Sequence, residues 1–190
     1  MFLSVIRGDA MKAFLGEIFD PIIEFYQMRI KSEIFVTIFI PLLVGGISYL
    51  VGFLIHPKYE FSLIDFCVGI LDQLLTILTL FISFSMAYLS ILITSSSKNV
   101  DGLKGTPSEK YFLGGKPCSL YQVLSSEITY TLVFEIFFMV IVLMERFLIY
   151  MCSSAVLQIL LAVNIALFIH VLLMMLIIIK NIYFSFWKSH

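Results

Sequence analysis

Apolar residues are concentrated in four long stretches that are separated by shorter polar segments. The stretches cover residues 34–56, 64–94, 128–150 and 154–180. A bilayer core is about 30 Å thick, and a helix needs about 20 residues to cross it. Because a backbone in hydrocarbon must satisfy its own hydrogen bonds, stretches of this kind are expected to be helical. The pattern predicts an all-α integral membrane protein with four transmembrane helices, in which residues 1–190 form a single membrane domain.

The N-terminal arm, residues 1–32, carries apolar residues at helical spacing. The stripe comprises Met11, Phe14, Leu15, Ile18, Phe19, Ile22, Ile23 and Tyr26, and Lys12, Glu17, Asp20 and Glu24 lie off it. This pattern predicts an amphipathic helix that lies on the inner leaflet. Asp20–Pro21 has the form of an N-cap followed by proline, which predicts a further helix that begins at Pro21 and runs into the first span. Inside that span, Pro41 and Gly45–Gly46 predict a kink or a point of close packing.

The composition is that of a membrane protein. Hydrophobic residues make up 61% of the chain and charged residues 13%, and the mean hydropathy is +1.05, whereas soluble domains carry about 25% charged residues. The net charge of -1 is uninformative, but the lack of a basic tract argues against direct binding of nucleic acid. The three cysteines have no paired spacing, and no nucleotide-binding or hydrolase motif occurs. We therefore predict no catalytic residue, no cofactor and no metal site.

Basic residues near the ends of the stretches predict the orientation. Arg7, Lys12, Arg29 and Lys31 precede the first stretch, and Lys98, Lys104, Lys110 and Lys116 lie between the second and the third. Basic residues favour the cytoplasmic side, so both termini, the 95–122 loop and the 181–190 tail are expected to be cytoplasmic. The loop is expected to be a turn-rich connector with one short helical piece. It is a natural contact for a cytosolic partner, with Lys98, Asp101, Lys104, Lys110 and Lys116 as candidate docking residues.

Polar residues in the second stretch follow one helical face. They are Asp72, Thr76, Thr79, Ser83, Ser90 and Thr94. Polar side chains on a lipid-facing surface are unfavourable, so this polar stripe is expected to face protein or water. One interpretation is a packing seam, in which small hydroxyl groups let helices approach closely. The other is the wall of a water-filled path that ends at Asp72, and in a homo-oligomer one stripe per subunit would serve as both.

Two more ionisable residues, Glu135 and His170, are expected at similar depth in the third and fourth stretches. A tight turn joins these stretches, so the two side chains could contact each other, which would reduce the free energy needed to bury either one. The pair is interpreted either as a clamp between helices or as a proton-responsive or conducting site. The last stretch also has a small and polar face made of Gln158, Ala162, Ala166 and His170, and Asn164 points away from it toward another helix.

The whole arrangement resembles the small four-span membrane proteins of bacterial antiphage defence operons, in particular the membrane subunit of the Kiwa system. The shared features are chain length, the amphipathic arm before Arg29–Lys31, the long second stretch that runs into SSSKNVDGLKG, and cytoplasmic termini. Membrane effectors encoded beside retrons look similar. The resemblance implies a multi-pass homo-oligomer, such as a tetramer, in the bacterial inner membrane, with a cytosolic defence partner encoded nearby. Such a protein would sense envelope disturbance or permeabilise the membrane, and no catalytic residue carries over.

The sequence therefore predicts a non-catalytic membrane component of an antiphage defence system, in contact with the lipid bilayer, with copies of itself and with a cytosolic protein. The alternative is a small proton-coupled transporter or ion channel that uses Glu135 and His170. The chain shows no internal repeat of the kind found in many transporters. A membrane-embedded enzyme is a third interpretation, and the few, scattered polar residues argue against it.

Overall fold

The computed structural model describes residues 16–54 except 18, residues 62–95 and residues 98–188. Three of its helices are long and apolar enough to cross a membrane: Lys31–Leu54, Leu63–Thr94 and the Ser154–Phe184 part of the last helix. The elements in chain order are α1 (19–28), α2 (Lys31–Leu54), α3 (Leu63–Thr94), α4 (Lys98–Gly105), β1 (Pro107–Leu113), β2 (Lys116–Ser119), α5 (Leu120–Leu148), a 3-10 turn (Ile149–Met151) and α6 (Ser154–Lys188).

All four apolar stretches are helical wherever the structure describes them. The second matches α3 to within one residue, and the first begins at Lys31 instead of residue 34. Residues 55 and 56 lie outside the described part of the chain. The third stretch belongs to α5, which starts eight residues earlier than expected and carries four charged residues, Glu127, Glu135, Glu145 and Arg146. It is not among the three helices that qualify as spans by length and composition.

The long helices pack in the spatial order α2, α6, α5, α3. The largest core cluster joins α3, α5 and α6, and its most buried side chains include Leu78, Phe138, Val142 and Val171. Large apolar side chains also cover the outer surfaces, among them Phe35 and Phe53 on α2 and Phe84 on α3. Soluble monomers rarely expose apolar surface on this scale, so the outer surface is suited to lipid.

Helix α2 approaches α6 most closely at Gly45. A Cβ atom at this position would lie 2.8 Å from the carbonyl oxygen of Ala162 and 2.9 Å from the Cβ of Ala166, whereas a Cβ at Gly46 would meet nothing within 4 Å. Both alanines are buried. The close packing expected at the glycine pair is therefore confirmed for Gly45, and the small face of α6 is the surface that it packs against.

The segment between α3 and α5 holds more structure than the expected connector with one short helix. Helix α4 is that short helix, and its Leu103 packs with Leu124 and Ile128 of α5. Strands β1 and β2 then form an antiparallel hairpin. Its turn consists of Gly114 and Gly115, whose φ angles are 57° and 79°, as a two-residue type I′ turn requires. The all-α prediction is therefore corrected by a two-stranded sheet.

The structure corrects two expectations for where the helix of the N-terminal arm begins and ends. Asp20 and Pro21 lie inside α1, so no helix begins there, and α1 does not run into the first span because it ends before a break at residues 29–30. Helix α1 lies along α5 in the antiparallel direction. Phe19 stacks on Phe137 with ring centroids 5.6 Å apart, and Phe25 stacks on Tyr130 at 4.0 Å.

The buried face of α1 also differs from the expected stripe. Phe25 and Met28 are its buried side chains, whereas Phe19 and Ile23 are exposed and Ile22 and Tyr26 are half-buried. The remaining members of the stripe, Met11, Phe14, Leu15 and Ile18, lie outside the described residues. An amphipathic helix that rests on the inner leaflet thus remains a prediction for the earlier part of the arm.

Candidate functional site

Helix α5 carries four charged side chains that face the neighbouring elements of the helix bundle. Glu127 faces the α1–α2 break and α6, Glu135 faces α3, Glu145 faces α6 and Arg146 faces α3. We treat these residues and their partners as the candidate site. The sequence pattern had assigned a functional role to only one of the four, Glu135.

The first group, which we call the junction cluster, consists of Arg29, Glu33, Tyr111, Glu127 and Asn181. Arg29 lies in the α1–α2 break with only 4% of its side chain exposed, and it forms an ion pair with Glu127 of α5. Its Nη1 donates to Glu33 Oε2 at 2.9 Å and to the Tyr111 hydroxyl oxygen at 3.1 Å. The guanidinium also lies 5.1 Å from the centroid of the Tyr111 ring. A planar group with five N–H donors is suited to join so many partners.

The carboxyl group of Glu127 is 1% exposed and only partly hydrogen-bonded. Oε1 accepts from Arg29 and from Asn181 Nδ2, the latter at 2.6 Å, whereas Oε2 has no partner among the described residues. Removing one member of a buried ion pair leaves an uncompensated charge, which strongly destabilises a fold. The junction cluster therefore holds the α1–α2 break, α5 and α6 in one fixed arrangement.

Tyr111 connects the hairpin to the same cluster. Its hydroxyl lies 3.2 Å from both carboxyl oxygens of Glu33 at the start of α2. Burial raises the pKa of Tyr111 to about 12, although the positive charge of Arg29 opposes the shift. The hydroxyl therefore stays protonated at neutral pH and donates to Glu33. Lys110, the preceding residue of β1, also pairs with Glu33.

A second group centres on His170 and on a carbonyl that α2 leaves without its usual donor. In a regular helix the Thr37 carbonyl would accept from the N–H of residue 41, but Pro41 has no N–H. His170 Nδ1 lies 2.9 Å from this oxygen. A carbonyl can only accept, so Nδ1 carries the proton and replaces the missing donor. The imidazole thus stabilises a proline-containing helix interior.

The other nitrogen of His170 continues the hydrogen bonding toward α1. Nε2 lies 2.9 Å from the Tyr130 hydroxyl, which lies 3.1 Å from the Tyr26 hydroxyl. With a neutral imidazole protonated at Nδ1, Tyr130 donates to Nε2 and Tyr26 donates to Tyr130. One chain of polar contacts therefore joins α1, α5, α6 and α2.

The expected contact between Glu135 and His170 is not formed. His170 has Tyr130 and Thr37 as partners, on the side of α2. Glu135 is 0% exposed, and neither of its oxygens has a hydrogen-bond partner among the described residues. The buried hydroxyl of Ser85, on α3, lies near this carboxyl group without completing a hydrogen bond of ordinary geometry. The two side chains face different helices, which is why their similar depth does not bring them together.

At the other end of α5, two contacts tie the helix to its neighbours. Arg146 Nε donates to Asp72 Oδ1 of α3 at 2.9 Å, and Asn164 Nδ2 of α6 donates to Glu145 Oε2 at 2.5 Å. The bond from Asn164 confirms that this residue reaches another helix. Gln158, which had been grouped with His170 on the small face of α6, is half-buried.

The polar stripe of α3 lies on the exposed side of the chain. All six members, Asp72, Thr76, Thr79, Ser83, Ser90 and Thr94, are exposed, and the buried face of α3 is formed instead by side chains such as Leu71, Leu74 and Leu78. The hydroxyls of Thr79 and Ser83 donate to the carbonyl four residues earlier, at 2.7 and 2.8 Å. The packing seam predicted for this face is therefore not formed within one chain.

The five candidate docking residues have different surroundings. Lys98 and Lys116 are exposed, and Lys104 forms a 3.9 Å ion pair with Asp101 while it lies 5.2 Å from the centroid of the Tyr121 ring. Lys110 belongs to the ion pair with Glu33. All five are thus exposed at the surface of the loop, and Lys110 also has a structural role.

Sequence reasoning missed most members of the two polar groups. Two signals were present: Arg29 and Glu33 have the i,i+4 spacing of a helical ion pair, and Pro41 implies an unpaired carbonyl four residues earlier. Tyr111 and Glu127 gave no local signal, because their partners lie 82 and 98 residues away in the chain.

No protein-family model matches the chain, and no curated protein and no solved structure matches it. Within the described part of the chain, no group of three or more His, Cys, Asp or Glu side chains is placed to hold a metal ion. The polar contacts of the candidate site join helices to one another, and that is the chemistry from which a function has to be argued.

Proposed function

We propose that this chain is a multi-pass protein of the bacterial inner membrane that acts without catalysis, as the homo-oligomeric sensor or effector of an antiphage defence system with a cytosolic partner. The observation that carries the proposal is the exposed polar stripe of α3, on a surface that is otherwise apolar. The resemblance to four-span defence proteins supplies the biological context.

The membrane placement is supported by the three apolar helices and by the distribution of charge along α5. Glu127 lies near one end of α5, and Glu145 and Arg146 lie near the other. The residues between Glu127 and Glu145 span about 27 Å of helix, close to the thickness of the hydrocarbon core. Exposed apolar side chains such as Phe137 and Met144 cover the outer side of this part. We therefore take α5 as the fourth span, with both termini and the 95–122 loop on the cytoplasmic side.

Cysteine accessibility tests this placement. In a chain without its native cysteines, Lys116→Cys and Ser153→Cys put thiols at two exposed positions that α5 alone separates. A membrane-impermeant maleimide is expected to label only Ser153→Cys in intact spheroplasts and both variants after permeabilisation. Labelling of both positions from the outside would show that α5 does not cross the membrane. Labelling of Lys116→Cys alone would reverse the orientation.

The stripe supports an assembly of several copies. Asp72 pairs with Arg146 and therefore lies at the edge of the hydrocarbon core proposed above, whereas Thr79 and Ser83 lie deeper. Their hydroxyls bond to their own helix, which reduces the cost of exposure to lipid. Polar side chains that face acyl chains remain unfavourable. Contact with the stripe of another copy shelters these groups, and small hydroxyl residues allow the close approach that such contact needs.

The double substitution of Thr79→Leu and Ser83→Leu tests this assembly. Light scattering of the protein in detergent is expected to give an oligomer for the wild type and a smaller species for the double variant. Ser48→Leu is the matched control, because Ser48 is a half-buried α2 hydroxyl that also bonds to its own helix, at 2.9 Å. A monomeric wild type, or an unchanged mass for the double variant, would contradict the role of the stripe.

The same variants test the defence activity. Cells that express the chain together with its neighbouring gene are expected to resist phage in a plaque assay, and the double stripe variant is expected to lose this protection while Ser48→Leu keeps it. Cells with the wild-type chain and its neighbour that show neither protection nor toxicity would refute the defence assignment.

The transporter alternative needs Glu135 and His170 on a shared path. We do not favour it, because His170 is engaged by a backbone carbonyl and a tyrosine and Glu135 faces another helix. A proton or ion flux that Glu135→Gln or His170→Ala abolishes would restore it.

A further inference from the structure

A cavity of about 300 Å³ lies where β1, the first turns of α5 and the end of α6 meet. Its lining includes the polar residues Lys110, Lys180 and Asn181 and the apolar residues Leu120, Leu124 and Phe184. A cavity of this volume lies at the lower end of the range found for small-molecule sites. This mixed lining points to a ligand that has an anionic part and an apolar part.

The charges around the cavity favour an anion. The cations are Arg29, Lys110 and Lys180, and the carboxylates are Glu33 and Glu127, so three positive groups stand against two negative ones. Arg29 is buried among both carboxylates, whereas the ammonium groups of Lys110 and Lys180 belong to exposed side chains at the cavity. Because Lys110 also pairs with Glu33, the one excess positive charge that is available to a ligand is that of Lys180.

The position of the cavity identifies the apolar part of that ligand. Lys180 and Phe184 lie where the apolar stretch Ser154–Phe184 ends, and Leu120 and Leu124 lie just before the apolar part of α5. In the membrane placement proposed above, this is the level of the lipid headgroups. Basic pockets between helices at this level bind the headgroups of anionic lipids. A free phosphate would contact the lysines but would leave Leu120, Leu124 and Phe184 uncovered.

We propose that this cavity binds an anionic phospholipid. The phosphate lies between Lys110 and Lys180, and an acyl chain runs along Leu120, Leu124 and Phe184. The site depends on the proposed membrane placement but not on the defence role, on the assembly through the α3 stripe, or on which side of the membrane faces the cytoplasm.

Binding is tested on the full chain, purified in detergent, by titration with phosphatidylglycerol and with phosphatidylcholine of the same acyl chains, read out by native mass spectrometry. The wild type is expected to retain phosphatidylglycerol in preference to phosphatidylcholine. Lys180→Gln is expected to weaken phosphatidylglycerol about fivefold, because a lysine near an anionic lipid contributes about 1 kcal/mol. Lys180→Arg should keep the affinity, and Lys98→Gln, which removes an exposed cation outside the cavity, should leave it unchanged.

Two further measurements separate the sources of the anion. Phe184→Ala is expected to weaken the phospholipid but not glycerol phosphate, which lacks the acyl chain. Inorganic phosphate at the same concentration is expected not to displace the lipid. Equal retention of the two lipids, unchanged affinity in Lys180→Gln, or full displacement by inorganic phosphate would overturn the proposal. These lipid measurements do not use the stripe variants or the phage assay. Failure of the lipid site would therefore leave the proposed function to be decided by those two assays.

Discussion

The hydrogen bond between His170 and the Thr37 carbonyl leads to a sharp prediction about two residues that do not look related in the sequence. His170→Leu removes the donor that replaces the missing N–H of Pro41. The carbonyl is then left without a partner in a place that water does not reach, since His170 itself is only 7% exposed. An unsatisfied buried acceptor costs about 1–3 kcal/mol, and Tyr130 loses its acceptor as well. We expect His170→Leu to destabilise the protein by at least this amount.

Pro41→Ala should then act as a specific rescue. Alanine restores an N–H at position 41, so the Thr37 carbonyl can accept from its own helix. In the wild-type background the same substitution should have little effect on this carbonyl, because His170 already satisfies it. The double variant is therefore expected to be more stable than the sum of the single effects predicts, with a coupling of about 1–2 kcal/mol, within the range measured for residues that share one network.

The coupling can be measured by thermal unfolding in detergent with a thiol-reactive dye. Cys67 and Cys118 are 5% and 2% exposed, so they react as the fold opens. Met174→Leu is the control, because Met174 is a buried α6 residue that fills space near Tyr130 and should not couple to Pro41→Ala. Strictly additive effects of His170→Leu and Pro41→Ala would refute the reasoning.

Three further predictions concern packing and charge. Arg29→Met should destabilise the protein by about 3–5 kcal/mol in the same dye assay, because Glu127 becomes an unpaired buried charge. Adding Glu127→Leu should recover most of the lost stability. A double variant no more stable than Arg29→Met would contradict this. Gly45→Ala should overpack α2 against α6, which should cost about 1–3 kcal/mol of stability and lower the melting temperature. Gly46→Ala should be neutral or slightly stabilising. Equal effects of the two substitutions would show that the close approach is not rigid. As pH rises from about 10 to about 12, the wild type should lose stability that Tyr111→Phe keeps. The unfolded phenol ionises near pH 10, whereas burial holds the pKa of the folded one at about 12. Parallel pH curves for the two proteins would speak against the buried hydroxyl.

The helices and the small residues at their close contacts could be predicted from the sequence because they depend on local patterns, whereas the pairing of α2 with α6 could not. Apolar runs of this length fix the helices, and small residues mark close approach, as Gly45 and Ala162 show. The third apolar stretch is helical too, but the charges of α5 make its relation to the membrane a separate question that composition alone does not answer. The Gly114–Gly115 pair is a usable signal for the hairpin, although the polar segment around it predicts only a turn-rich connector with one short helix.

The polar contacts were harder to predict because their partners are set by tertiary packing. Arg29 looked like a topology-determining charge at a membrane boundary, and the structure buries it against Glu127, 98 residues away. Glu135 and His170 were expected to pair because they lie at similar depth. The orientation of each helix about its axis decides which neighbour a side chain faces. Glu135 faces α3, and His170 faces α2. Within one chain Glu135 and His170 are buried, whereas Asp72 and Ser83 are exposed, so the shelter expected for the α3 stripe stays a prediction.

Ser119 is both the last residue of β2 and the N-cap of α5. Its hydroxyl accepts from the Gln122 N–H at 3.2 Å, and its own N–H donates to the Gln122 side chain at 2.8 Å. No linker residue separates the strand from the helix. A rotation of the hairpin would therefore be transmitted to the first turn of α5. The hairpin is thus mechanically coupled to the helix bundle, and Glu127, two helical turns further along α5, is the first buried charge that such a motion would strain.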